Sequence, residues 1–140
     1  MAWRQYHEYG KEDYGEATWR LAPTCIVLHF TAGTSFPWNL VSMWSFDGEG
    51  PGFALHYVID GNNIWQLLPT DVRSRGTYGI NHRAINIEMV AANASDLARR
   101  PATLKACVAL VRHLMQKYSI PKSRIYSHTC LLYTSDAADE

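Results

Sequence analysis

A chain of 140 residues that is 47% hydrophobic has enough length for one ordinary domain with a sizeable core, and too little for two. Thirteen Lys and Arg balance thirteen Asp and Glu, which excludes the broad basic footprint of a nucleic-acid binder. No apolar run reaches the roughly 18 residues that span a bilayer, and the start Met1-Ala2-Trp3-Arg4-Gln5 leads into polar and aromatic residues rather than an export signal.

Residues 1–22 mix charged residues with Trp3, Tyr6, Tyr9, Tyr14 and Trp19 and read as an extension tacked onto the domain by its rings. Residues 25–29 read as a central strand, four apolar positions closed by His29, which opens the turn-forming stretch Phe30-Thr31-Ala32-Gly33-Thr34-Ser35. Residues 32–52 show no sustained period and read as a long connection with one helical turn around 40–44; connections of that length are often functional. Residues 53–59 and 64–68 read as a hairpin around Asp60-Gly61-Asn62-Asn63, ended by Pro69. Residues 84–90 alternate, with Ala84, Asn86, Glu88 and Val90 on one side and Ile85, Ile87 and Met89 on the other.

The clearest helix covers 101–118, where Leu104, Cys107, Val108, Val111, Leu114, Met115 and Tyr118 form an apolar stripe. Pro101 suits its first turn, and Pro121 bars continuation. Residues 124–128 read as the last strand. The expected class is α/β, a mixed central β-sheet flanked by α-helices, without a regular βαβ period or a glycine-rich nucleotide loop. The expected organisation is an extension over 1–22, a domain over 23–130 and an atypical tail over 131–140. Cys25, Cys107 and Cys130 are an odd number with no close CxxC, and the first two read as small buried hydrophobes.

A histidine closing a buried strand beside a turn is rigidly held yet faces an opening, the place for a metal ligand. His29 stands there, and His128, after Arg124-Ile125-Tyr126-Ser127, stands in the same kind of place. Two imidazoles with a carboxylate or thiolate make a zinc site with one position open, and such a site hydrolyses amides when a nearby carboxylate moves the water proton. Glu88, a lone acid between Ile87 and Met89, suits that task; an ion pair with Arg83 or another cation is the alternative. His113 reads as a flank histidine of the helix. A serine or cysteine hydrolase finds little support, since Ser127 beside His128 is no nucleophile elbow.

Four blocks in order carry a wider resemblance: Ile26-Val27-Leu28-His29-Phe30-Thr31-Ala32-Gly33; His56-Tyr57-Val58-Ile59-Asp60-Gly61 running on to Ile64-Trp65-Gln66-Leu67-Leu68-Pro69; Asn81 through Ala84-Ile85-Asn86-Ile87-Glu88; and Ile125-Tyr126-Ser127-His128. Over about 25–128 the chain resembles the zinc-dependent N-acetylmuramoyl-L-alanine amidases, a group that includes phage amidase-type lysozymes and peptidoglycan recognition proteins. The resemblance implies a bound Zn2+, with His29 and His128 as histidine ligands, and cleavage of the amide between N-acetylmuramic acid and L-alanine of peptidoglycan. Some members use a tyrosine before the HYVID-like block, where this chain has Leu55; others use the glutamate ending the IxIE-like block, here Glu88, which the resemblance selects as proton shuttle. It implies a supporting role for His56.

The third ligand of the family, Asp or Cys, follows the second histidine by roughly eight to ten residues, which selects Asp136, with Thr134 two positions before it; Cys130 is chemically suitable but follows His128 too soon. No Pro-Gly follows Asp136, and the tail resembles translated sequencing-adapter text, so the domain is expected to be C-terminally truncated. A histidine common in the family is missing from 73–78, with Tyr78 as its replacement. Trp38, Trp44 and His82 are expected on the substrate side, whereas Trp65 reads as core. The expected partners are peptidoglycan or muropeptides, with no nucleic acid and no transmembrane segment, acting as a monomer either released from a cytoplasm or at the cell wall. A muropeptide-binding module with an incomplete metal site is the competing expectation.

Overall fold

In the computed structural model, the described residues are 2–5, 21–31, 33, 55–74 and 80–127, with side chains from residue 21 onward. They form strands β1 (Ala2–Gln5), β2 (Cys25–Phe30), β3 (Tyr57–Asp60), β4 (Asn63–Gln66), β5 (Ala84–Met89) and β6 (Ile125–Ser127), with helices α1 (Ala94–Ala98) and α2 (Pro101–Tyr118). The strands make one sheet in the order β1-β4-β3-β5-β2-β6. Only β3 and β4 pair antiparallel; β1 with β4, β3 with β5, β5 with β2 and β2 with β6 are parallel. This is the expected mixed sheet flanked by helices.

The two central strands are apolar because both of their faces are covered. On one face Ile26 of β2, Ile85, Ile87 and Met89 of β5, Tyr57 and Ile59 of β3 and Ile64 of β4 pack with Ala106, Cys107, Leu110 and Leu114 of α2. On the other face Cys25 and Val27 pack with Ala84, Ile80 and the partly buried Tyr126. Cys25 and Cys107 are free and buried, as their apolar settings predict; the Cys25 thiol donates to the Arg83 carbonyl at 3.6 Å.

The hairpin is tighter than expected, with Asp60 paired to Asn63 across Gly61 and Asn62. Gly61 takes a positive φ of 59° while Asn62 does not, the combination that a type II′ turn uses and that a residue with a Cβ resists. The Gly61 amide donates to Thr103 Oγ1 at 2.9 Å, which satisfies the buried hydroxyl and ties the turn to the start of α2. The expected first hairpin strand is interrupted at Leu55 and His56, which lie outside β3, its start at 53 falls outside the described residues, and the second strand ends at Gln66 rather than 68. The cause is His56, whose carbonyl accepts from the amides of Leu67 and Leu68, at 2.8 and 3.4 Å, and so breaks the ladder.

Helix α2 has the expected bounds, with Pro101 in its first turn and Ser119, in the left-handed region at φ 54°, as its C-cap. Its expected stripe needs correction. Thr103, Ala106, Cys107, Leu110 and Leu114 face the sheet, whereas Leu104 and Val108 are 38% and 49% exposed. The small side chains of Thr103 and Ala106 are what let the helix lie close to β3 and β4, so the buried face is rotated toward them. Helix α1 was not expected; Asn93 caps it by accepting from the Asp96 amide at 2.8 Å, and Asp96 accepts from the Ala92 amide and the Arg100 side chain. Strand β1 was also unexpected: residues 2–5, read as part of an extension, form an edge strand. A 3-10 turn over Lys122–Arg124 delays the last strand to Ile125. Among the described residues no helix is long and apolar enough to cross a membrane.

Candidate active site

His29 and Glu88 lie far apart in sequence but directly opposite each other in register, because β2 and β5 are parallel neighbours. Val58 of β3 stands opposite Glu88 on the other side, and Trp65 of β4 stands opposite Val58. One row therefore crosses four strands as Trp65, Val58, Glu88, His29, on the face turned away from α2. The row sits toward the carboxyl ends of the parallel strands, where open α/β sheets place their ligands. Trp65 is only partly buried, which corrects its expected place in the core: Ile64 takes the core side of β4 and turns Trp65 to the row. An apolar cleft of about 360 Å³ beside Val108 and Leu28 lies on the opposite, α2 face, so its size has no bearing on this row.

Glu88 is partly buried, and burial pushes its carboxyl up to about 7. The alternative ion pair with Arg83 is not formed: Arg83 is exposed, and among the described residues no salt bridge reaches Glu88. A carboxyl poised near neutrality can both take and return a proton, the property a general base that later acts as an acid needs.

The shift has a consequence for stability. A glutamate with a folded pKa near 7 against an ordinary 4.5 favours the folded state most below pH 4.5, and that contribution is lost as pH rises through 7. In zinc-free protein, the stability of Glu88→Gln minus that of the wild type should therefore grow by about 3 kcal/mol between acid and mildly alkaline pH. Urea denaturation at several pH values reads this difference, and a flat one contradicts the raised pKa.

His29 is 7% exposed, and its Nε2 donates to Asn86 Oδ1 at 2.8 Å. The Asn86 side chain is fully buried, and its Nδ2 donates to Ser74 Oγ at 2.5 Å and to Asn81 Oδ1 at 3.4 Å. The Asn86 amide donates to His56 Nδ1 at 3.0 Å, and the Asn86 carbonyl accepts from the His56 amide at 3.1 Å. His56 Nε2 donates to the Val72 carbonyl at 2.7 Å. Burial holds His56 neutral, with its pKa lowered to about 4. With one ring nitrogen accepting and the other donating inside the fold, His56 is the hydrogen-bonded structural histidine that its block implies. Asn86 and Ser74 went unread in the sequence. The only signal for Asn86 was its place two residues before Glu88 on the same strand face.

His82 is exposed in the turn before β5, and His113 is exposed on α2. The expected ligands His128 and Asp136, and the expected substrate-side residues Trp38, Trp44 and Tyr78, lie outside the described residues. Strand β6 runs to Ser127, which pairs with Leu28, the residue before His29. Among the described residues no group of three His, Cys, Asp or Glu side chains converges as a metal cluster.

The family model of N-acetylmuramoyl-L-alanine amidase matches residues 19–139. The chain belongs to that family. Solved structures share its fold. The structure of PlyL, at 22% identity, aligns over 93% of this chain and 82% of its own with a TM-score of 0.70. The endolysin N-acetylmuramoyl-L-alanine amidase LysCS from Clostridium intestinale URNW, at 24% identity, aligns over 88% and 80% with a TM-score of 0.66. The hydrolase AmiA of Staphylococcus aureus, solved with its ligand, is 20% identical over 94% of this chain and 67% of its own, with a TM-score of 0.67. The comparison with curated protein sequences gives no match.

Proposed function

We propose that this amidase-family chain hydrolyses the amide between N-acetylmuramic acid and L-alanine in peptidoglycan, with Zn2+ held by His29, His128 and Asp136. The observation that carries the reading is the pairing of His29 with Glu88 across β2 and β5, together with a carboxyl that burial pushes up to about 7. The one described ligand fits such an ion: His29 is a buried imidazole whose orientation is fixed by its bond to Asn86. Strand β6 pairs Ser127, the residue before His128, with Leu28, the residue before His29. Bound zinc would supply a Lewis acid that polarises the amide carbonyl and acidifies the attacking water. Glu88 takes the proton from that water and returns it to the departing alanine nitrogen. Trp65, in the same row, offers a partly buried ring against which substrate can lie, and Trp38, Trp44, Tyr78 and His82 are further substrate-side candidates.

A second reading is a muropeptide-binding module with an incomplete metal site. It is supported by the described residues, among which no three ligand-type side chains converge; hydrolysis draws in addition on His128 and Asp136. Zinc affinity of the full chain, set beside that of a variant ending after Thr129, separates the readings. Close to one zinc per chain, held tightly by the full chain and lost on shortening, is expected if Asp136 completes the site. Weak binding that shortening leaves unchanged favours the binding module.

A further inference from the structure

We propose that Asn86 is a positioning residue that fixes the tautomer of His29, so that Nδ1 is the ring nitrogen presented to a metal. The Asn86 side-chain oxygen can only accept, so the 2.8 Å contact requires a proton on His29 Nε2 and leaves the lone pair on Nδ1. The amide is itself prevented from turning over. Its nitrogen donates to Ser74 Oγ at 2.5 Å and Asn81 Oδ1 at 3.4 Å, and a flip would set its oxygen against the carbonyl-type oxygen of Asn81.

The backbone of Asn86 is pinned as well, by both its bonds to His56, whose ring is anchored to the Val72 carbonyl. A chain of hydrogen bonds thus runs from the 70–74 segment through His56 and Ser74 to Asn86, and ends on His29. All of Asn86, His56 and Ser74 are fully buried, so water does not compete for these bonds. Glu88 lies two residues along the same strand face, and one β5 segment therefore places the proton carrier and orients the imidazole beside it.

The inference rests on reading His29 as a ligand, and two readouts on the full chain keep the two apart. Long-range nitrogen–proton NMR of the His29 ring in zinc-free protein, at a pH of about 8 and so above the ordinary histidine range, reports the tautomer without any metal. Zinc affinity reports its use. The wild type should show Nε2 protonated. Asn86→Leu should lose that bias and bind zinc roughly 10- to 100-fold more weakly. Asn86→Asp keeps an acceptor facing His29 and, combined with Asn81→Ala to remove the oxygen that its second oxygen would meet, should retain both tautomer and affinity, which a role in packing alone would not predict. Ser74→Ala, which leaves the Asn86 oxygen in place, serves as the folded control should Asn86→Leu not fold, and should weaken the tautomer bias without abolishing it. A wild type with Nδ1 protonated, or Asn86→Leu with unchanged tautomer and affinity, overturns the role of Asn86. The expected tautomer in a wild type that takes up no zinc overturns instead the ligand reading, and the metal-directed role with it.

Discussion

Glu88→Gln is expected to lower muropeptide amide cleavage by about 10²- to 10⁴-fold, the range that removal of a positioned acid–base group commands. Zinc affinity should stay within a few-fold, because the substitution leaves His29 and its bond to Asn86 in place. The two parts belong together. Gln fills the same volume and can still hydrogen-bond, but it can neither accept a proton from water nor deliver one to nitrogen. A variant that loses metal and turnover together would make Glu88 a support for the ligands. Unchanged turnover would remove it from the chemistry and return it to the row as a half-buried carboxyl without a task.

Leu110→Ala is expected to cost about 3 kcal/mol of stability, within the range of about 2–5 for a fully buried leucine, because the sheet and helix cannot close over the lost volume. Leu110 is fully buried in the core that α2 shares with the sheet, in one cluster with Ile59, Ile64, Ile85 and Ile87. Val108→Ala, one residue off that face and 49% exposed, should cost less than about 1 kcal/mol. Urea unfolding of the two variants, with slopes matching the wild type, reads the contrast. The stripe expected from apolar spacing ranks them the other way, since it includes Val108 and omits Leu110. Equal losses would mean that α2 sits rotated from the position described.

That reversal shows where sequence reading loses its grip. Apolar spacing located α2 to its ends, because Pro101 and Pro121 bound it, but a stripe four residues wide does not say which flank meets the sheet. The flank was decided by Thr103 and Ala106, whose small side chains permit close approach and carry little hydrophobic signal. Alternation on β5 correctly separated Asn86 and Glu88 from Ile85 and Ile87, since one strand face needs only a period of two. What alternation could not supply was the neighbour. His29 meets Glu88 only because β2 lies beside β5 in a parallel register, a long-range pairing that no local pattern encodes.

The bond from His29 to Asn86 was hidden for the same reason, and the His56–Asn86 bonds with it. Strand β1 left no legible mark because edge pairing with β4 depends on where the rest of the sheet ends. Helix α1 is too short for a period, though the Asn93 to Asp96 spacing was a capping signal that could have been read.

Hydrolysis is read directly by mass spectrometry of the products after incubating the zinc-supplemented full chain with a muropeptide that carries an intact lactyl–L-alanine amide. Release of a stem peptide with a free alanine amine is expected, abolished by a strong chelator and by His29→Ala. A muropeptide that is bound yet recovered intact, with zinc present and the protein folded, would contradict hydrolysis and leave the chain a binding module of the amidase family.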